Sequence, residues 1–155
     1  MAAAEVLPVT ADDVAEILPL VRQADIDEIT EALGIPMERA LREAITGSLN
    51  ARKIVVDGLI VAVFGDATYS ILGSVGVPWL ISTIHVDQHA RAFLKVCKPE
   101  VQGMLTRHWH LINYVDARNT AAIRWLKWLG FEFGPAVPYG PHGFPFHPFT
   151  LNREI

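Results

Sequence analysis

Three places in this sequence hold residue types that do chemistry at a useful spacing. In "YVDARN", residues 114–119, Tyr114 offers a phenolic proton, Asp116 a carboxylate, Arg118 a fork of donors for an anion, and Asn119 a side chain suited to start a helix. In "HVDQH", residues 85–89, His85, Asp87 and His89 occupy every second position, which on a strand puts all three on one face, as a metal or acid/base site requires. Cys97 is the single thiol, and as a thiolate it would be a nucleophile. The other histidines, His108 and His110 in "HWH" and the separated His142 and His147, form no ligand pattern, so no metal site is expected. No G-x-S-x-G elbow occurs, and "GSVG" at 73–76 lacks its spacing, so hydrolase chemistry is unsupported.

Each candidate also has a purely structural reading. A helix expected near Gln88 breaks the alternation of His85, Asp87 and His89 and leaves them as polar residues at a strand end. Cys97, two residues before Pro99, reads as a small buried hydrophobe. Tyr114 and Tyr139 fit an amphipathic side chain at a sheet edge or in a turn. Asp116 and Arg118 either meet a ligand at the carboxyl end of a strand, beside the free amides that follow Asn119, or hydrogen-bond loop backbone and orient that cap.

Stepping along the chain, "EVLPVT" is expected as a first strand, and "TADDVAEILPLVRQA" as a helix capped by Thr10 with acids in its first turn. "DIDEITEALG" is a helix stopped by Gly34, and "IPMERALREAITGSL" restarts after Pro36 with Met37, Ala40, Leu41, Ala44 and Ile45 on one face. Asp57-Gly58 between two β-branched runs predicts a tight hairpin. "DATYSILGSVGV" is expected as a surface loop and "PWLISTIHV" as a buried fourth strand. Pro99 predicts either two short helices or one kinked helix between Gln88 and Trp109. "LINYV" is a fifth strand, "NTAAIRWLKWLG" a helix from Asn119 to Gly130 that buries Ala122, Ile123, Leu126 and Leu129, and the proline-rich tail ends in a strand near 144–151. The order β-α-α-β-β-β-α-β-α-β-β describes a mixed α/β (α+β) sheet covered by helices, one domain over residues 1–155.

At 155 residues, just over half of them apolar, the chain can bury a core without disulfides, and one cysteine forms no disulfide framework. The start lacks the basic flank and apolar run of a secretory signal, so a reducing compartment is expected. Every apolar run falls short of the roughly 20 residues that span a bilayer, so no membrane span is expected. The net charge of −4 is uneven: acids crowd residues 1–50, while Arg91, Lys95, Lys98, Arg107, Arg118, Arg124 and Lys127 lie in the second half. Such a surface suits an anionic ligand or an acidic partner. The bases form no dense run and no nucleic-acid-binding motif, so no nucleic acid is expected as a partner.

The element order, and above all "NTAAIRWLKWLGF", resembles the GCN5-related N-acetyltransferase (GNAT) family, whose final helix carries a similar Asn, Ala-Ile, aromatic, Leu-Gly-Phe pattern. The resemblance implies a mostly antiparallel central sheet with a parallel pair formed by the fourth and fifth strands, which splay apart at their carboxyl ends. The stretches "DGLIVAVFG", "PWLISTIHV", "RAFLK", "NYVDARNTAAIRWLKWLGF" and "PYGPHGFPFHPF", within residues 57–149, are similar to a narrower group: GNAT-like internal virion or morphogenesis proteins of short-tailed bacteriophages. That implies phage virion proteins or a host protein as partners, and the virion interior or host cytoplasm as location.

Two requirements of the GNAT family bear on activity. Its pyrophosphate sits on a glycine-rich turn after the fourth strand, where this sequence has "QHARAF", placing Arg91 and Phe93 at the positions of glycine and a small residue. Its thiolate is often protonated by a tyrosine on the last helix, where this sequence has Leu126. The leading expectation is therefore a phage protein of GNAT-like fold, acting in virion assembly or inside the particle, without acetyltransferase activity and with no cofactor. The second is an acetyl-CoA-dependent N-acetyltransferase acting on a host or phage protein, with Arg91, Arg118 and Asn119 as cofactor contacts and Asp116 or Tyr114 as catalytic candidates. The third is a module that binds and inhibits a host enzyme.

Overall fold

The computed structural model describes residues 3–68 and 74–154. The chain enters on β1 (Glu5–Pro8) and passes Thr10, which caps the next turn through a reciprocal pair: Thr10 Oγ1 accepts from Asp12 N–H, and Asp13 accepts from Thr10 N–H. The helix expected there is short: α1 (Val14–Ile17) lies between two 3-10 turns, and Val21 is already extended and bridged to Thr83. Pro19 falls in the second of those turns, where its fixed φ suits a tight turn and its missing N–H ends the helical ladder.

Helix α2 (Gln23–Leu33) stops where Gly34 adopts φ 69°, the left-handed cap expected of it. Helix α3 (Met37–Thr46) follows Pro36 and buries Met37, Ala40, Leu41 and Ile45, with Ala44 half-buried beside them. Strands β2 (Arg52–Val56) and β3 (Leu59–Thr68) form the hairpin at Asp57-Gly58, whose φ values of 52° and 75° are those such a turn requires.

The surface-loop expectation for 66–77 is partly corrected: β3 runs through Thr68 and β4 (Val75–Ser82) starts at Val75, while residues 69–73 lie outside the described residues. Strand β4 also ends sooner than expected, at Ser82. Helix α4 (Ala90–Arg107) continues through Pro99 as one element. Burial of Phe93, Cys97, Val101, Met104 and Leu105, at about 1.5–3 kcal/mol for each large side chain, outweighs the roughly 3 kcal/mol that an internal proline costs. Then come β5 (His110–Asp116), α5 (Thr120–Trp128), β6 (Glu132–Phe133), β7 (Val137–Tyr139) and β8 (Phe144–Asn152). Strand β7 was not expected separately; three residues with a proline leave little pattern to read.

The strands form one mixed sheet in the order β1-β2-β3-β4-β5-β8-β6, with β7 also on β8. All pairings are antiparallel except β4 with β5, which are parallel. One core lies between the sheet and helices α4 and α5, and holds Phe93, Leu105, Leu111, Leu126 and Phe149. The other lies under α1 and α3, and holds Ile17, Leu41, Val63 and Ile81.

Candidate functional site

The parallel pair holds for only two residue pairs, Val75↔His110 and Gly76↔Leu111, after which β4 and β5 separate. Pro78 supplies a local reason. Its carbonyl accepts a 2.7 Å hydrogen bond from Asn113 Nδ2 on β5, so its polar edge faces β5. A strand residue points its N–H and C=O to the same side, and the donor that proline lacks is one that would have reached β5. Asn113 replaces a ladder bond with a longer side-chain bridge.

The paired end is held shut by a buried cluster. Asp66, fully buried at the end of β3, accepts from Arg107 Nε and Nη2 at 2.8 and 2.9 Å and lies 2.8 Å from His108 Nε2. Gly76 lies against that imidazole: a Cβ there would fall 2.4 Å from the ring.

Beyond Pro78 the separated strands flank a cleft of about 440 Å3. Phe93, Cys97, Ala122, Trp125 and Leu126 wall it on the α4/α5 side, with the Phe93 and Trp125 rings stacked at 5.9 Å. Trp79, Ile81, Tyr114 and Tyr139 contribute from the strands, the two tyrosines stacked at 4.3 Å. Burial pushes the Cys97 thiol up to about 12, so it is no nucleophile near neutral pH.

Helix α2 crosses the open end. No residue of it is fully buried, so carboxylates one turn apart carry much of its attachment. Asp25 Oδ2 accepts from Ser82 N–H at 2.7 Å and from Ser82 Oγ at 2.5 Å, at the end of β4. Glu28 Oε1 accepts from Asp116 N–H at 2.8 Å, at the end of β5. Both acids line the cleft. Burial pushes the Glu28 carboxyl up to about 7; the bonds from the Asp116 backbone and the Asn119 side chain oppose this, and the charges of Asp25 and Asp116 add to it. Asp25 is also raised by burial, against the pull of Ser82 and Arg22.

The "YVDARN" residues divide. Tyr114 and Asn119 line the cleft; Asp116 and Arg118 sit beside it. Asp116 accepts from Arg118 N–H at 2.8 Å, from Nε at 3.0 Å and from Nη2 at 2.7 Å, and these bonds hold its carboxyl below the usual range. Arg118 also donates to Glu31 at 2.5 Å and lies 4.8 Å over the Phe144 ring. Asn119 Oδ1 accepts from Ala122 N–H at 3.2 Å and caps α5, as its position implied.

Arg91 is exposed in the first turn of α4, with no ion-pair partner among the described residues. The N-cap of that helix, His89, provides no side-chain acceptor, so the first-turn amides are not satisfied from their own cap. Asp87 and His89 belong to a 3-10 turn, which takes them off any strand face shared with His85. Asp25, Glu28, Ser82 and Asn113 were not singled out from the sequence. Acids at i, i+3 on a helix are ordinarily a solvated face and give no local signal of burial, whereas an amide such as Asn113 inside an apolar strand is one.

No protein-family model matches the sequence, and no curated protein matches it. Solved structures do match in fold. An acetyltransferase-like protein from Acinetobacter baylyi ADP1 superposes with a TM-score of 0.72 at 12% identity, over 99% of this chain and 94% of that one. The aminoglycoside acetyltransferase AAC(6')-Ib, solved with ribostamycin and coenzyme A, gives 0.71 at 15% identity, over 97% and 94%. Ard1 from Thermoplasma volcanium gives 0.66 at 14% identity, over 99% of each chain. The protein therefore has the GNAT acetyltransferase fold.

Proposed function

We propose that the protein is an acyl-CoA-dependent N-acyltransferase that holds the thioester arm of its donor in the cleft between β4 and β5. The observation that carries this reading is the separation of the parallel pair after two residue pairs, with a cleft of about 440 Å3 beyond it, within the usual range for small-molecule sites. The apolar wall from α4 and α5 suits a flexible, weakly polar arm. The uncapped start of α4, with Arg91 beside it, suits the pyrophosphate. AAC(6')-Ib of the same fold has been solved with coenzyme A and with acetyl-CoA.

Two features had favoured a site without activity. Phe93 is 8% exposed and its ring stacks on Trp125, which makes it part of the cleft wall and leaves the exposed end of α4 to the phosphates. Leu126 is buried and donates no proton, but Tyr114 and Tyr139 bring phenols to the cleft, and these are the candidates for protonating the leaving thiolate. The resemblance to phage internal virion proteins concerns where such a protein works; on this reading it places the acceptor amine on a phage or host molecule.

Thermal unfolding with the donor tests the reading. A ligand at a hundredfold excess over its dissociation constant stabilises the folded state by about 2.7 kcal/mol. Millimolar acetyl-CoA should thus raise Tm by several degrees, and an unchanged Tm would leave the cleft without this role.

A further inference from the structure

Trp79 is held more firmly than a wall residue needs to be. It pairs with Gly65 across β3 and β4, and its indole fills the space that a side chain there would take: a Cβ on Gly65 would fall 2.9 Å from Nε1 and Cζ2. Glycine inside a strand weakens it and marks a close approach by another group. The indole edge is pinned as well, since Nε1 donates to Ser48 Oγ at 2.7 Å, and Ser48 Oγ donates to the Ala44 carbonyl at 2.8 Å. Seated on a glycine and tied at its one polar atom, the ring is fixed in orientation while it stays half-buried at the cleft.

A second aromatic group stands across the opening. Trp79 and Tyr114 directly follow Pro78 and Asn113, the two residues joined by the side-chain bridge, so they occupy the two lips where β4 and β5 part. They also share a face of the sheet. Trp79 and Ile81 pack toward the core under α1 and α3, whereas Leu111 and Val115 belong to the core under α4 and α5, so the alternation of β5 turns Tyr114 to the same side as Trp79. Tyr114 is backed by Tyr139 at 4.3 Å, and Tyr139 by Phe146 at 5.2 Å. The arm of the donor is assigned to the α4/α5 side, which leaves this aromatic side to the acceptor.

Resting on the acyltransferase reading, we propose that the acceptor is an amine that carries an aromatic ring, which lies between Trp79 and the Tyr114–Tyr139 pair while its nitrogen reaches through the opening to the thioester. Rings fixed before binding lose little freedom when a flat group stacks on them, and contact with both lips orients the amine along the gap between the strands. In the transfer a C–N bond forms as the C–S bond breaks; sulfur keeps the electron pair and takes one proton, and the ammonium releases a second to solvent.

A comparison of amines on the wild-type protein, with acetyl-CoA as donor, tests the assignment. Phenethylamine should exceed butylamine in kcat/KM at least tenfold, and should exceed cyclohexylethylamine, which has nearly the same size and no π face, at least threefold. Trp79→Leu keeps an apolar side chain and removes the ring, and both preferences should fall below twofold in it. If that variant does not fold, the wild-type ratios decide by themselves. A wild-type preference below twofold over either amine, preferences retained in Trp79→Leu, or acylation of none of these amines while acetyl-CoA binds would overturn the proposal and leave donor binding standing. A tenfold weaker dissociation constant for acetyl-CoA in Trp79→Leu, with the preferences retained, would give the ring to the donor's adenine and overturn it also. Failure of the wild type to bind acetyl-CoA at all would overturn the acyltransferase reading, and this proposal with it.

Discussion

A carboxylate that loses water without gaining a cation holds on to its proton, and at Glu28 this has a consequence for stability. Its folded-state value is raised to about 7 from 4.5, so it is protonated in both states at low pH. As pH rises past 4.5 the unfolded chain releases the proton first, and the folded state loses relative stability until about pH 7. The full effect is on the order of 3 kcal/mol. Glu28→Gln should therefore gain on wild type between pH 4.5 and pH 8, seen as a growing Tm difference; a constant difference would mean that Glu28 is well solvated. Leu126, by contrast, is 6% exposed on the core-facing side of α5, and Leu126→Asp should cost about 3 kcal/mol or more, measured by denaturant unfolding. The contrast shows what a sequence exposes at this scale. Leu126, the Asn119 cap and the Gly130 stop are written into one local 3.6-residue pattern. The partners of Asp25 and Glu28 lie 57 and 88 residues away, and nothing local marks an acid as buried by so distant a strand.

Among the helices α1–α5, α2 alone has no fully buried residue. Its carboxylates reach Ser82 and Asp116, and its carboxyl end packs on the β7–β8 turn, where Gly140 has φ 75° and a Cβ would stand 2.5 Å from the Glu31 carbonyl oxygen. Gly140→Ala should cost upwards of about 1 kcal/mol from the backbone conformation alone. Because the clash pushes on α2, amide exchange should quicken there while α4 keeps its protection. Helices α3 and α5 were readable from their periodic faces, and the β2–β3 hairpin from its turn residues. For α4 the sequence leaves two short helices and one kinked helix open, because the penalty at Pro99 is local, whereas the burial that decides for one helix is tertiary. Helix α1 was read as long because the bridge between Val21 and Thr83 that draws the chain away is set by the sheet.

At the scale of the molecule, the sheet is closed at one end and held open at the other. Asp66 on β3, paired with Arg107 and His108, secures the sheet to the end of α4 where β4 and β5 still pair, and α2 spans the end where they part. The charge divides differently: acids gather on the segment of α1–α3, and Arg91, Lys95, Lys98, Arg124 and Lys127 lie on α4 and α5. The order of the central elements from β2 to α5 was legible in the sequence, and the parallel β4–β5 pair followed from the resemblance to the GNAT family. Their splay was expected from the resemblance; the lining of the cleft was not legible, because it depends on where a proline breaks one ladder and on a helix arriving from the first third of the chain. The central claim is that this opening receives an acyl-CoA, and titration calorimetry with acetyl-CoA tests it most directly. The account predicts a dissociation constant tighter than about 10 μM, equivalent to roughly 7 kcal/mol, and at least tenfold weaker binding for Arg91→Ala. No heat at millimolar acetyl-CoA would contradict it.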